Sequence, residues 1–439
     1  MVWTVVLLLL LAPVVAGILR GRATTREAYS FNDGRTGVAL TMGSAVCCNV
    51  GVGTFIAILL FSRVSPVIGL ALVVCYTAGL LLCALAAPSV HALAARHRAF
   101  SFVDLIVART QASRAGLIAV WLPVAFVFIL RSAVQLAALA LLVGNVFGVD
   151  ALVALVASGA AIGAYTLIGG YRSATQTDAM QAVVIVALMA VAATGLTTRP
   201  LNLTGFLDLG PYAPTILVGI VLLLPFSPLL SVDNWQRIAT ARTASIARRG
   251  YLGAAAICCA IYSIIWIAGM DGRTLGAEPL DTFRGLMPAV APWLADVLFI
   301  TAIVSSVDTF LMPLVAPLAQ RGVGLARLRI ATAALLFVTA LLAATMGDLL
   351  SGVVAAFSVL VVFLPAVFAT MVLRRPSARA AALSMNGGLA ASLIAVTVDE
   401  NAAAIVGFVV ATLVYAAVSL RVSGAPRRDR TGTPEGTGF

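Results

Sequence analysis

No lysine occurs among the 439 residues, and histidine occurs only at His91 and His97, so all 28 basic side chains are arginine. Charge is scarce altogether: 10 % of residues carry one, against about 25 % in soluble globular chains. So few charges cannot cover a soluble surface, and 62 % of the residues are hydrophobic. The cysteines Cys47, Cys48, Cys75, Cys83, Cys258 and Cys259 all sit inside apolar runs. They form neither a disulfide framework nor a metal-ligand spacing, and read as small apolar residues buried in helices. HExxH and GxSxG are both missing and no histidine lies within an apolar run, so no enzyme is indicated. A formal charge of +11 would suit a nucleic-acid binder only if the basic groups formed a patch. They are scattered over short hydrophilic gaps instead.

What the chain does have is long apolar runs, each near the roughly 20 residues that one membrane-spanning helix requires. They cover Val2–Leu19, Gly37–Phe61, Val67–Val90, Gly116–Val143, Ala151–Ile168, Ala179–Leu196 and Thr215–Leu230. The series continues with Tyr251–Met270, Leu294–Leu318, Ile330–Met346, Leu350–Leu373, Ala381–Val398 and Ala402–Leu420. This predicts an all-α polytopic membrane protein of about thirteen helices. Strands of a membrane barrel would be about ten residues long and alternating, which excludes a barrel.

Arginine placement orients the spans. One set of alternate gaps holds Arg20, Arg22, Arg26, Arg35, Arg96, Arg98, Arg109, Arg114 and Arg172. It continues through Arg237, Arg242, Arg248, Arg249, Arg321, Arg327, Arg329, Arg374, Arg375, Arg379 and the tail. The opposite set has Arg63, Arg199, Arg273 and Arg284, with acids such as Asp271, Glu278, Asp281, Asp348, Asp399 and Glu400. Basic loops face the cytoplasm, so the expectation is a plasma-membrane protein with its N-terminus outside and its C-terminus cytoplasmic. The first run has its arginines after it and none before it, the reverse of a cleaved signal, and is expected to be a retained helix.

Two spans carry the marks of interrupted helices. The second run contains Asn49-Val50-Gly51-Val52-Gly53-Thr54, and the seventh contains Pro225-Phe226-Ser227-Pro228. Glycine weakens a helix and proline removes its hydrogen bonds, and freed backbone at membrane depth is tolerated only where it lines a cavity or binds something. Glycine and proline also serve plain packing in membrane helices, but a matched pair in corresponding positions is what an inverted repeat predicts. In the ninth run Ser305, Asp308 and Thr309 share one helical face, beside Ser306. A carboxylate there is costly and marks an ion or proton site; hydroxyls, carboxylates and unwound carbonyls suit a hard cation. The bland alternative for the serines is bonding back to the preceding turn. Arg131 is the only arginine read within a span, too far from either end to reach the interface. It calls for an anion: Asp308, Asp178 or a carboxylate-bearing solute. Gln135 follows one turn later.

Four stretches then resemble the sodium/solute symporter family, which includes sodium-coupled proline, galactose and sialic acid transporters: NVGVGTFIA at Asn49–Ala57, YTLIGGYRSATQTDAMQ at Tyr165–Gln181, NWQRIATA at Asn234–Ala241 and AIVSSVDT at Ala302–Thr309. The resemblance spans roughly Arg22 to Arg379. It implies a leucine-transporter-like fold: an extra N-terminal helix within 1–36, a five-plus-five inverted repeat over 37–196 and 215–379, accessory helices within 380–420, and a tail from 421 to 439. It further implies a main sodium site from the backbone carbonyls of Cys47, Val50 and Ala302 and the hydroxyls of Ser305 and Ser306. A second ion site or proton carrier would use Asp178, Ser305, Asp308 and Thr309. The substrate pocket would lie near Asn49, Gly51, Thr54, Tyr76, Arg131, Gln135 and Phe226. Tyr76 and Arg131 stand where galactose carriers have an acid and an asparagine, which points to a carboxylate-bearing organic acid or amino acid. The expected activity is Na+-coupled symport by alternating access, with no cofactor beyond the coupling ion. Proton coupling on the same fold and a transporter-like sensor are the competing expectations.

Overall fold

The computed structural model describes residues 14–197, 201, 205–210, 212, 214–271, 278–346, 359–373, 376–398 and 402–423. Most of the first apolar run, the tail arginines Arg427, Arg428 and Arg430, and Arg199, Arg273, Arg374, Arg375, Asp348, Asp399 and Glu400 therefore lie outside the described residues. After a helical stretch at 14–21, the helices run α1 Arg26–Phe31, α2 Val38–Asn49, α3 Val52–Val64, α4 Pro66–His97 and α5 Phe102–Thr110. Next come α6 Arg114–Phe147, α7 Ala151–Leu196, α8 Pro214–Leu223, α9 Val232–Thr240, α10 Ala244–Gly269 and α11 Pro279–Leu286. The last are α12 Leu294–Gln320, α13 Leu325–Ala344, α14 Leu364–Val372, α15 Ala378–Val398 and α16 Ala403–Ser423. Among the described residues, eight helices are long and apolar enough to cross a membrane, or nine if α2 and α3 are counted as one bent span.

Both expected breaks are present. Helices α2 and α3 meet at 54°, with Val50 and Gly51 out of helical geometry. The seventh run leaves α-helical form after Leu223, two residues before Pro225, and passes through short 3-10 turns at Leu224–Phe226 and Pro228–Leu230. A third interruption separates the fifth and sixth runs. Gly170 sits at φ 57°, ψ −139° inside α7, and helix resumes at once, so 171–178 are helical instead of forming a loop. Positive φ needs glycine here, and a Cβ on Gly170 would lie 2.4 Å from the Tyr29 carbonyl. The Gly169–Gly170 pair thus lets the turn nest against α1 at Tyr29 and against Gly21 in the segment before it.

Helix α12 is the central rod: 89 % of its apolar window is buried, against 17 % for α13. It packs on α6, α7 and α2, and Pro313 and Pro317 sit in its second half.

Loops sort to two ends. At one end Arg242 donates its backbone N–H to the Thr36 carbonyl (3.0 Å), Arg329 donates to the carbonyls of Ala23 and Ile168 (3.2 and 3.1 Å), and Arg109 donates to the Leu373 carbonyl (2.9 Å). At the other end the Ser65 hydroxyl donates to the Asp208 carbonyl (2.8 Å), Trp266 donates to the Pro66 carbonyl (2.9 Å), and Arg63 reaches Thr282. Among the described residues, the arginine-rich gaps share one end. Arg237 is the exception: it was expected in a loop, yet it is 2 % exposed within α9.

The turn at Gly170 yields a direct test. Gly170→Ala should destabilise the chain by about 1–3 kcal/mol from backbone strain alone. Gly159→Ala, mid-helix with nothing within 4 Å of an added Cβ, should gain about 0.5–1 kcal/mol. Thermal unfolding of both variants in one detergent reads the difference; equal midpoints would contradict the assignment of the turn.

Candidate functional site

The first break is held open by side chains from two other helices. The Val52 N–H, which would otherwise head α3 without a partner, donates to Gln135 Oε1 of α6 (3.2 Å). The Asn49 carbonyl accepts the Thr54 hydroxyl (2.8 Å) and the Tyr262 hydroxyl of α10 (2.7 Å). Asn49 itself donates back to the Ala45 carbonyl (2.8 Å). Two carbonyls are left over: those of Cys47 and Val50 accept no hydrogen bond among the described residues. An uncompensated carbonyl in an apolar setting costs a few kcal/mol, so the pair is a ready oxygen donor set.

Helix α12 lies against this gap. Ser305 and Ser306 both donate to the Ala302 carbonyl (3.0 and 3.1 Å), the backward bonding expected of helical serines. Each hydroxyl oxygen keeps its lone pairs, and a cation would require only that the hydroxyl protons rotate away. A Cβ built on Gly51 would fall 2.8 Å from Ser306 Oγ and 3.2 Å from Gln135 Nε2. Glycine at 51 is thus a packing requirement that brings α12 and α6 onto the break. The five expected sodium ligands therefore belong to one neighbourhood of the fold, and their oxygen chemistry suits Na+.

Below it lies a buried ionic network. Arg237 donates from Nε to Ser44 Oγ (2.7 Å), from Nη1 to Asp233 Oδ2 (3.2 Å), and from Nη2 to Asp178 Oδ2 (3.2 Å) and Thr309 Oγ1 (2.9 Å). Ser44 also donates to Asp178 Oδ2 (2.6 Å), and the Cys47 thiol donates to the Asp178 carbonyl (3.0 Å). Asp308 is 1 % exposed, accepts the Thr309 N–H (2.7 Å), and has the Tyr165 hydroxyl nearby. Asp178, Asp308 and Thr309 are brought together as expected. Ser44, Tyr165, Asp233 and Arg237 join them unforeseen. The one sequence signal was the Asp233–Arg237 spacing of four, which places the two on one helical face.

On the other side of the break is a polar cavity of about 20 Å³, room for about one water molecule. Asn49, Gly51, Thr54, Tyr76, Arg131 and Gln135 line it, all expected there. Phe226 does not line it; Ser227, Pro228, Ser231 and Phe310 do. The 3-10 turns advance about 120° per residue instead of 100°, and so present the next residues instead of Phe226, which is half-buried. The Arg131 guanidinium lies 4.2 Å from the Phe310 ring centroid and 5.4 Å from that of Phe128, so cation–π contact fixes its plane. It donates to Ser231 Oγ (3.3 Å), and Ser231 in turn donates to Asp233. A polar chain thus runs from the cavity through Ser231 and Asp233 to Arg237 and Asp178.

Residues 31–198 match the family model of the Sodium:solute symporter family. Comparison with curated protein sequences finds no match. Among solved structures, a Na+-coupled sialic acid symporter in a substrate-bound outward-open state aligns over 96 % of this chain and 98 % of its own, with 14 % identity and a TM-score of 0.74. Mhp1, a nucleobase-cation-symport-1 family transporter in a closed conformation with bromovinylhydantoin bound, aligns over 92 % and 95 % with 14 % identity and a TM-score of 0.57. MhsT in complex with L-phenylalanine aligns over 91 % and 99 % with 13 % identity and a TM-score of 0.50. Identities this low speak to fold, and the shared fold is that of helical membrane transporters. This chain is a polytopic membrane protein with a transporter fold, and over residues 31–198 it resembles the sodium:solute symporter family, transporters and not enzymes.

Proposed function

We propose that the chain is a Na+-coupled symporter of the plasma membrane that carries a small carboxylate-bearing solute by alternating access. The observation that carries this reading is the pair of unsatisfied carbonyls, Cys47 and Val50, set against Ser305 and Ser306. Sodium binds there through those four groups and the Ala302 carbonyl. That the sialic acid symporter sharing the fold is Na+-coupled supports the choice of ion.

The segment at 49–54 serves both ligands. Its carbonyls at Cys47 and Val50 belong to the ion side, while Asn49, Gly51 and Thr54 line the cavity. An ion that draws this segment onto α12 orders the same backbone that the solute needs. Each ligand then raises the affinity of the other, as linkage requires. The solute's carboxylate meets Arg131, and a guanidinium with its plane already set by two rings binds a carboxylate at little further entropic cost. The cavity is too small for an organic solute, so entry requires the broken segment around Pro225–Ser231 to move away from α4 and α6. Such movement of a discontinuous helix is the expected gate of an inverted-repeat carrier.

Repeat boundaries at 37–196 and 215–379 fit the two breaks. The first broken helix starts beside Thr36 at the arginine-rich end, and the second starts beyond Asp208 and Gly210, at the other end. Opposite entry of corresponding helices is what inversion means. Basic loops retained inside put the arginine-rich end in the cytoplasm, the N-terminus outside and the C-terminus in the cytoplasm.

Reconstitution tests the ion. Uptake of candidate organic acids and amino acids into proteoliposomes is expected to need an inward sodium gradient and to fall at least tenfold at low sodium in Ser306→Ala. Gly51→Ala, whose new Cβ would press on Ser306, should likewise weaken sodium binding. Uptake indifferent to sodium removal and to both substitutions would refute the sodium reading.

A separate measurement addresses the solute. Arg131→Gln should lose about 1.5–3 kcal/mol of carboxylate binding, a shift of about tenfold to a hundredfold in the solute concentration needed for thermal stabilisation. Stabilisation by sodium alone should persist. Unchanged carboxylate affinity in this variant would rule out Arg131 as the anchor.

A further inference from the structure

The oxygens expected to hold a second coupling ion are already engaged by a side chain of the protein. Of the four residues of that set, Thr309 gives its hydroxyl oxygen to Arg237 Nη2 at 2.9 Å, and Asp178 gives Oδ2 to the same nitrogen at 3.2 Å. Ser305 donates to Ala302 within its own helix. The Arg237 Nε is 2.7 Å from Ser44 Oγ, so the guanidinium draws acceptors from α2, α7 and α12 at once, from its own position on α9. Asp233, on its own helix one turn earlier, takes Nη1 (3.2 Å). Arg237 is 2 % exposed and Asp178 is fully buried.

We infer that Arg237 occupies, with its guanidinium, the position in which a second coupling cation would bind, so that this carrier binds a single sodium ion. The inference rests on the sodium reading proposed above. Three considerations support it. A guanidinium is permanently charged, so the position is cationic at every stage of the cycle. The fork engages Asp178 of α7 and Asp233 of α9 at once, through two different nitrogens. Most directly, a sodium ion held at about 2.4 Å by Asp178 Oδ2 and Thr309 Oγ1 would sit beside the guanidinium nitrogen that both oxygens already contact, one cation against another. The remaining orphan oxygens, Asp178 Oδ1 and Asp308 Oδ2, are too few to replace the set.

The tether also has a partner on the solute side. Asp233, which Arg237 grips, accepts the Ser231 hydroxyl, and Ser231 holds Arg131 in the cavity wall. The built-in cation is therefore mechanically linked to the residue that receives the carboxylate, as a freely exchanging ion would not be.

Equilibrium binding of radioactive sodium to the purified, detergent-solubilised chain counts the ions without a solute. Wild type is expected to bind one sodium ion per chain and Ser306→Ala none. Arg237→Gln removes the tethered charge and is expected to bind two, while Arg237→Lys, which restores a cation on a tether, returns the count to one. Two ions on wild type would overturn the inference and leave the sodium reading standing. No ion on wild type would overturn both. A folded Arg237→Gln chain that still binds one ion also overturns it, since the position would then not be a cation site. Should that variant fail to fold, the wild-type count still decides between one ion and two.

Discussion

In a hydrocarbon surrounding, a backbone carbonyl that leaves a helix has no water to turn to, so any unwound residue must be matched by a specific group elsewhere in the protein. At Val50–Gly51 that matching recruits α6 through Gln135, α10 through Tyr262, and α12 through the close approach that Gly51 permits. The break is in this sense the keystone. Three helices take up positions that make little sense without it, and the two carbonyls that none of them satisfies are the ones proposed as ion ligands. Filling the gap with a continuous helix would satisfy the backbone and abolish the site in the same step.

A second constraint follows from the first. Polar groups concentrated around a break lower the local cost of burying charge, but they do not remove it; a buried ion pair breaks even only when geometry and surrounding hydrogen bonds are both good. The network at Arg237 meets that condition. Four of its donor contacts are made within 3.2 Å, and Ser44 supplies Asp178 with one more. Helix α12 presents polar groups to both regions, Ser305 and Ser306 to the break and Asp308 and Thr309 to the acids, which explains why a helix so nearly inaccessible carries four polar residues within two turns.

How much of this could be read from residues alone depends on the range of the interaction. Apolar run length marks the helices, and Gly-rich and Pro-rich punctuation marks both breaks, because these are local properties of the backbone. The shared face of Ser305, Asp308 and Thr309 is local too. Arg237 was not legible. It follows a proline-rich break and stands five residues before Arg242 in a hydrophilic stretch, so it reads as one more loop arginine. Its burial depends on Ser44 and Asp178, which lie 193 and 59 residues away in the chain. Phe226 illustrates a smaller failure: the proline break was evident, but the change from α to 3-10 winding, which decides which residue faces the cavity, was not.

The difference between a mobile cation and a tethered one bears on how such a carrier is driven. A sodium ion that binds and leaves transmits the gradient's free energy because its chemical potential differs on the two sides. An arginine has no such difference, so it contributes nothing to the driving force. What it can contribute is persistence: Asp178 and Asp233 share a counter-cation whether or not sodium is present, and the helices that carry them are spared part of the repulsion that an empty acidic site would impose. Coupling must then come from the one site whose occupancy changes, and from the rigidity with which the surrounding elements convey that change. On the proposed single-sodium reading, the chain from Arg131 through Ser231 and Asp233 to Arg237 would supply that rigidity on the solute side, and the Cys47–Gly51 backbone on the ion side. A carrier built this way gives up concentrating power per cycle and gains an ion site whose neighbours do not depend on a second ligand to hold their shape.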